Sequence, residues 1–184
     1  MFFSRGKQTS VSLDKLVASA QNGDAEAFGQ IYDQYIERVY RFVYFKVGRK
    51  EVAEDLTQNI FMKALENLSK YRNEGSFNAW VFAISRNTVI DYYRTKRADI
   101  SLDLVKEPPA ADNTQSLEIK EEFEQVFKVL QDLSEAEQEV IILHSIEQYS
   151  FSEIAEITDR TEEYLRVLKH RALKKLKEEL DYGK

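Results

Sequence analysis

The chain has 184 residues, 43% of them hydrophobic and 32% charged, a balance that supports one packed domain or two small ones. Its lack of cysteine excludes disulfides, cysteine metal sites and thiol chemistry, and agrees with a reducing cytoplasm, the expected location. The net charge of −6 argues against a simple nucleic-acid binder, and no apolar run approaches membrane-spanning length, so no membrane insertion is expected.

With only 2 Pro and 6 Gly, the chain has few breakers, and helices are expected throughout. The start, Met1-Phe2-Phe3-Ser4-Arg5-Gly6-Lys7, lacks the long apolar stretch and small-residue cleavage site of a secretory signal. Ser12 is placed to cap a first helix that stops at Asn22-Gly23. Asp24 is placed to cap a second, whose apolar Phe28, Ile31, Tyr32, Tyr35, Val39 and Val43 repeat at helical spacing up to a stop at Gly48. A third helix is predicted from about Glu51 to Tyr71, with Val52, Leu56, Ile60, Ala64 and Leu68 on one face. Asn73-Glu74-Gly75-Ser76 reads as a loop, and a fourth helix follows with Phe77, Trp80, Val81, Ile84 and Thr88 inward.

From Ala98 the periodicity weakens, and Pro108-Pro109 sits in an acidic stretch, so a flexible linker is expected over 98–116. Leu117 to Leu130 looks helical. Ser134 with Glu137, and Ser150 with Glu153, fit the capping box, in which a serine and a glutamate three residues on satisfy each other's free amides. They mark two further helix starts, and Thr161 is placed to cap the last helix. The expected fold class is therefore all-α, in two helical domains, 1–97 and 117–184.

The charge is unevenly spread along this plan. Residues 1–97 carry 15 Lys+Arg and 11 Asp+Glu, residues 98–115 carry 1 and 4, and residues 116–184 carry 10 and 17. Within 160–177, however, seven cations (Arg160, Arg166, Lys169, Arg171, Lys174, Lys175, Lys177) face only Glu162 and Glu163. A local basic patch is what a phosphate backbone senses within a Debye length.

Three constellations stand out. Two short helices joined by Thr158-Asp159-Arg160-Thr161, the second one basic, suit placement of a helix in the DNA major groove; an ordinary helical hairpin fits the same residues. On the fourth helix, Arg86, Tyr93 and Arg97 fall at i, i+7 and i+11, and Asn87, Asp91 and Arg94 at i, i+4 and i+7. Such a face suits phosphate neutralisation and base contact, or is simply solvated with Asp91 pairing Arg94. Asp55, Gln58 and Asn59 share a face of the third helix, either docking a partner or facing water. No catalytic residue, metal ligand set or cofactor is expected: His144 and His170 lack ligand-like spacing, and there is no Gly-rich phosphate loop, nucleophile elbow or paired-carboxylate motif.

Together, from about Leu16 to Leu180, these segments resemble the bacterial RNA polymerase sigma factors of the extracytoplasmic-function group, in the sigma-70 family. Gln21-Asn22-Gly23-Asp24-Ala25-Glu26-Ala27-Phe28 is similar to the family's opening, and Ala53-Glu54-Asp55-Leu56-Thr57-Gln58-Asn59-Ile60-Phe61 to its polymerase-binding helix. Phe77-Asn78-Ala79-Trp80-Val81-Phe82-Ala83-Ile84-Ser85-Arg86-Asn87, followed by Asp91-Tyr92-Tyr93-Arg94, is similar to its −10 reader. Leu133-Ser134-Glu135 through Ile157, then His170-Arg171-Ala172, resembles its region 4 helix-turn-helix.

The resemblance implies a region 2 helical bundle and a region 4 helix-turn-helix, in a protein that is not an enzyme. Such a protein binds core RNA polymerase and promoter DNA, and an anti-sigma factor is an expected partner. It implies polymerase binding through Asp55, Leu56, Gln58 and Asn59. It implies −10 contacts from Arg72, Asn73, Ser76, Arg86, Asn87, Tyr93, Arg94 and Arg97, with the 72–76 loop taking up a flipped base, and −35 contacts from Thr161, Arg166, Lys169, His170, Arg171 and Lys174. Two alternatives stay open: a helix-turn-helix regulator that does not dock on polymerase, and a protein-binding helical scaffold. The sequence also departs from the family: Asn59 stands where Glu is usual, and Asp159-Arg160 stand where Gly and an aliphatic residue are favoured, with Glu162 and Glu163 following. Those two glutamates suit the helix N-terminus but repel phosphate from it.

Overall fold

The computed structural model describes residues 12–72, 76–99 and 127–182, and every regular element among them is helical. The first four helices are α1 (Leu13–Gln21), α2 (Ala25–Val47), α3 (Lys50–Asn67) and α4 (Phe77–Asp99). Helix α5 is described over 127–131. Helix α6 (Glu135–Ile141) runs into a π-helical turn at Ile142–Ile146, and α7 (Phe151–Thr158) and α8 (Glu162–Tyr182) complete the chain. The expected linker at 98–116 and the helix from Leu117 lie outside the described residues, apart from positions 98 and 99 at the end of α4 and 127–130 in α5.

The caps behave as local chemistry dictates. Asp24 accepts from the amides of Glu26 and Ala27 at 3.0 and 3.1 Å. Ser134 and Ser150 each complete a capping box with the glutamate three residues on. Ser12 sits at the N-cap of α1, but its side chain makes no capping bond; its carbonyl instead accepts from the Lys15 and Leu16 amides. Helix α3 ends at Asn67 rather than Tyr71, because a 3₁₀ turn at Leu68–Lys70 tightens its last residues while keeping Leu68 buried.

Most of the expected inward stripe is buried on α2 (Ile31, Tyr35, Val39, Val43) and on α3 (Leu56, Ile60, Ala64) with Leu68 beyond it, whereas Phe28 and Val52 are half-buried and Tyr32 is exposed. On α4, Phe77, Val81, Phe82, Ser85, Thr88 and Val89 are buried, whereas Trp80 and Ile84 are only half-buried. Phe42 of α2 meets Phe82 of α4 edge to face at 5.5 Å, and both are fully buried. Each such ring contributes about 1.5–3 kcal/mol by leaving water. Ile154 and Ile157 of α7 pack against Leu165, Leu168 and Ala172 of α8, the core expected for a helix-turn-helix.

The two halves of the chain also pack on each other. The last carbonyls of α2 have no partner within their own helix. Phe45 O accepts from the Gln131 and Gln138 side-chain amides of the second half at 3.1 and 3.2 Å, and Lys46 O accepts from Tyr93 Oη of α4, within the first half, at 2.7 Å. Tyr149, just before α7, sets its ring 5.0 Å from that of Phe82. Gly48 closes α2 in the left-handed region (φ +69°), and a Cβ there would lie 2.3 Å from Phe127 Cζ of α5. Only glycine satisfies both the backbone and that approach.

Candidate nucleic-acid interface

The turn before α8 is built from the residues that looked least suited to it. Asp159 holds the left-handed conformation (φ 53°, ψ 48°) in which a glycine would be unstrained, and the Arg160 amide donates to Ala155 O at 3.3 Å. In place of an aliphatic contact, the Arg160 guanidinium lies 3.7 Å from a carboxylate oxygen of Glu139 and over the Tyr164 ring. Thr161 caps α8 through a 3.3 Å bond from the Tyr164 amide.

Beyond this turn α8 presents an open stripe of Arg166, Val167, His170, Arg171 and Lys174. Arg166 is paired with Glu162 at 2.6 Å, an exposed ion pair that contributes little to stability. Lys169 is half-buried, 3.5 Å from His144 Nδ1, and so stands apart from the stripe. The neighbouring Lys175 turns back to Glu137 at 2.8 Å.

On α3, Asp55, Gln58 and Asn59 are all exposed on one face, as their spacing requires. Leu56 is not part of that surface: it is buried and packs inward, because it falls on the apolar stripe with Ala53, Ile60 and Ala64. Met62 and Leu65, 58% and 49% exposed, extend the polar face by two more turns. They were readable from the sequence only as apolar residues off the buried stripe.

On α4 the expected −10 residues are divided. Asn87 and Arg94 face solvent, with Arg94 paired to Asp91 at 3.1 Å. Arg86 instead donates to Glu139 of α6 at 2.8 Å. Tyr93 packs down with its hydroxyl on Lys46 O, and burial pushes its pKa up to about 12, so this ring makes a structural contact between α4 and α2. Ser76 donates its amide to Glu156 at 3.2 Å, Arg72 is exposed, the Arg97 side chain is not described, and Asn73 lies outside the described residues. A cleft of about 120 Å³ is lined by Asp14, Val17, Ala18 and Gln21 of α1 and by Tyr71 and Phe77, the two residues that flank the 72–76 loop, whose rings meet edge to face at 5.3 Å.

Among the described residues no cluster of three His, Asp or Glu is placed to hold a metal ion, and no helix is long and apolar enough to cross a membrane.

Comparison with known proteins follows the same division. The sigma-70 region 2 family model matches residues 31–98, and the sigma-70 region 4 model matches residues 129–178. The chain is 32% identical over 172 residues to the ECF RNA polymerase sigma factor BldN of Streptomyces coelicolor, covering 91% of this chain and 65% of that protein. It is 27% identical over 183 residues to the ECF RNA polymerase sigma factor SigW of Bacillus subtilis, covering 91% and 96%. The structure of CnrH in complex with the cytosolic domain of CnrY superposes with a TM-score of 0.76 at 25% identity, covering 94% of this chain and all of that one.

Proposed function

This chain belongs to the sigma-70 family, in its extracytoplasmic-function group, and we propose that it binds core RNA polymerase and directs initiation at promoters with −10 and −35 elements. The observation that carries the reading is the open basic stripe on α8, behind a correctly formed left-handed turn, downstream of a region 2 bundle in the same chain. A helix with Arg166, His170, Arg171 and Lys174 on one solvent face suits the major groove, with arginine reading base edges and the remaining cations fixing register on phosphate.

The polymerase contact is assigned to Asp55, Gln58 and Asn59, with Met62 and Leu65 as the apolar part of the same face. A mixed polar and apolar patch is what a protein partner covers. Strand opening is assigned to the 72–76 loop and to Arg86, Asn87 and Arg94. A base must leave its stack to be read, at a cost of about a few kcal/mol, and the cleft beside Tyr71 and Phe77 gives it a place to go. The boundaries 1–97, 98–116 and 117–184 divide these roles. An anti-sigma partner is part of the reading, supported by the partner-bound state of CnrH. The chain acts by binding and not by catalysis, and it works where the polymerase does, in the cytoplasm.

Pulldown with core polymerase, followed by promoter-dependent run-off transcription, tests the reading. Binding with a transcript is the expected result. DNA binding without polymerase binding would instead identify a free-standing helix-turn-helix regulator. Neither activity at any genomic promoter would leave only a protein-binding scaffold.

A further inference from the structure

Helix α8 opens with two acids, Glu162 and Glu163, at the end that a DNA-entering helix turns toward phosphate. The two are not alike. Glu162 is half-buried and pairs with Arg166 at 2.6 Å. Glu163 is exposed, and among the described residues it makes no hydrogen bond and no ion pair. It begins a line of exposed residues, Glu163, Val167, His170 and Lys174, spaced i, i+4, i+7 and i+11. That line runs directly opposite the buried Leu165, Leu168 and Ala172. Arg166 lies on one shoulder of it, 5.1 Å from the centre of the Phe151 ring, and Arg171 lies on the other. Val167 is 46% exposed and is the apolar member of the line. Scattered apolar residues are ordinary on a surface. This one stands at the centre of the face, between an acid and an imidazole.

A helix lying in the major groove turns the line opposite its core toward the base edges and its shoulders toward the phosphates. Base edges alone carry the sequence. The first two members of this line are an acid and a branched aliphatic, and each has a narrow choice of partner. An ionised carboxylate only accepts hydrogen bonds. Cytosine offers its N4 amino donor with no acceptor beside it, whereas guanine and thymine offer acceptors, and adenine sets its N7 acceptor next to its N6 donor. Among phosphates, a carboxylate is repelled wherever no donor meets it, so it rejects wrong bases as much as it binds the right one. Val167 has no polar side-chain atom and gains only against apolar surface, which in the groove is the thymine C5 methyl. Residues three or four apart on a groove-bound helix meet successive bases, as in zinc fingers, so the two bases are neighbours.

We propose that Glu163 and Val167 are specificity-determining residues of the −35 contact: Glu163 selects a cytosine through its amino group, and Val167 selects the neighbouring thymine through its methyl. The flanking cations supply most of the attraction to DNA, and the acid and the valine decide which sequence receives it. The choice of promoter DNA as ligand rests on the initiation reading above; the line of acid and aliphatic opposite the helix core does not.

The test is selection by the full chain, alone and with core polymerase, from a duplex pool randomised over about eight base pairs, followed by anisotropy titration of the selected duplex. The parent should enrich cytosine beside thymine. Uracil in place of that thymine removes only the methyl; it should weaken the parent about fivefold and leave Val167→Ala unaffected. Glu163→Ala should lose a cytosine preference of about tenfold while keeping the thymine. It should also bind the unselected pool more tightly than the parent, because a charge that repels phosphate is gone. A Glu163 that only favours the helix dipole would instead lower the thermal midpoint and leave the enriched sequence unchanged. That outcome overturns the proposal, as does an equal change in affinity for every duplex, or enrichment of neither base by the parent. Both variants place alanine at exposed helical positions, where the fold tolerates it, and the uracil arm needs no variant at all. Run-off transcription with core polymerase is the separate arm. No transcript, with the selection results intact, would sink the initiation reading and leave the base assignment standing; transcription indifferent to the cytosine and thymine would do the reverse.

Discussion

Gly48→Ala puts a price on the joint between the two halves. Gly48 is left-handed at φ +69°, and an L-residue held there costs about 1–2 kcal/mol. The new methyl would lie 2.3 Å from Phe127 Cζ and 3.0 Å from Cε1, so the buried ring must move off α2, an overpacking cost of about 1–3 kcal/mol. The sum is roughly 2–5 kcal/mol of lost stability. The control is Gly29→Ala, inside α2, where nothing lies within 4 Å of the added Cβ. There alanine removes only the entropic cost of glycine and should stabilise by roughly 0.5–1 kcal/mol. Urea denaturation of the two full-length variants, read by circular dichroism, should therefore shift midpoints in opposite directions. A loss below about 1 kcal/mol at Gly48 would refute the reasoning, because the backbone term alone predicts that much. Equal shifts at the two positions would refute it as well.

Asp55→Ala with Gln58→Ala should weaken core-polymerase binding about tenfold with the fold intact, and Met62→Ser with Leu65→Ser should do as much; unchanged affinity in a titration removes the assignment of that face. Arg166→Ala should reduce −35-dependent initiation about tenfold while sparing a pre-opened template, and equal loss on both templates counts against a −35 role. The carboxyl of Glu137 is held below its ordinary 4.5, first by the hydrogen bond from Lys175. A depressed folded-state pKa contributes stability that is present above 4.5 and lost as pH falls through the folded value. Lys175→Met should thus cost roughly 0.5–1 kcal/mol at neutral pH, Lys175 being half exposed, and the gap from the parent should close below pH 4.5 in denaturation curves.

What the sequence disclosed and what it withheld divide along the range of the interactions involved. Asp24, the two capping boxes, the stop at Gly48 and the cap at Thr161 are contacts between residues a few positions apart, and each formed where its neighbours required. The helix-turn-helix core and the exposed face of Asp55, Gln58 and Asn59 follow from helical periodicity alone. Asp159 was doubtful by composition, but its short polar side chain tolerates the left-handed turn, and the ion pair of Arg160 with Glu139 stands in for the missing aliphatic contact. The contacts of Arg38 and Arg41 with Glu147 span more than 100 residues, and no pattern on α2 distinguishes them from wetted cations. Arg86 is the instructive case. The sequence offered it as a group for phosphate, and the structure gives it a carboxylate. Its side chain cannot tell the two ligands apart by geometry, so residue type alone could not say which it holds.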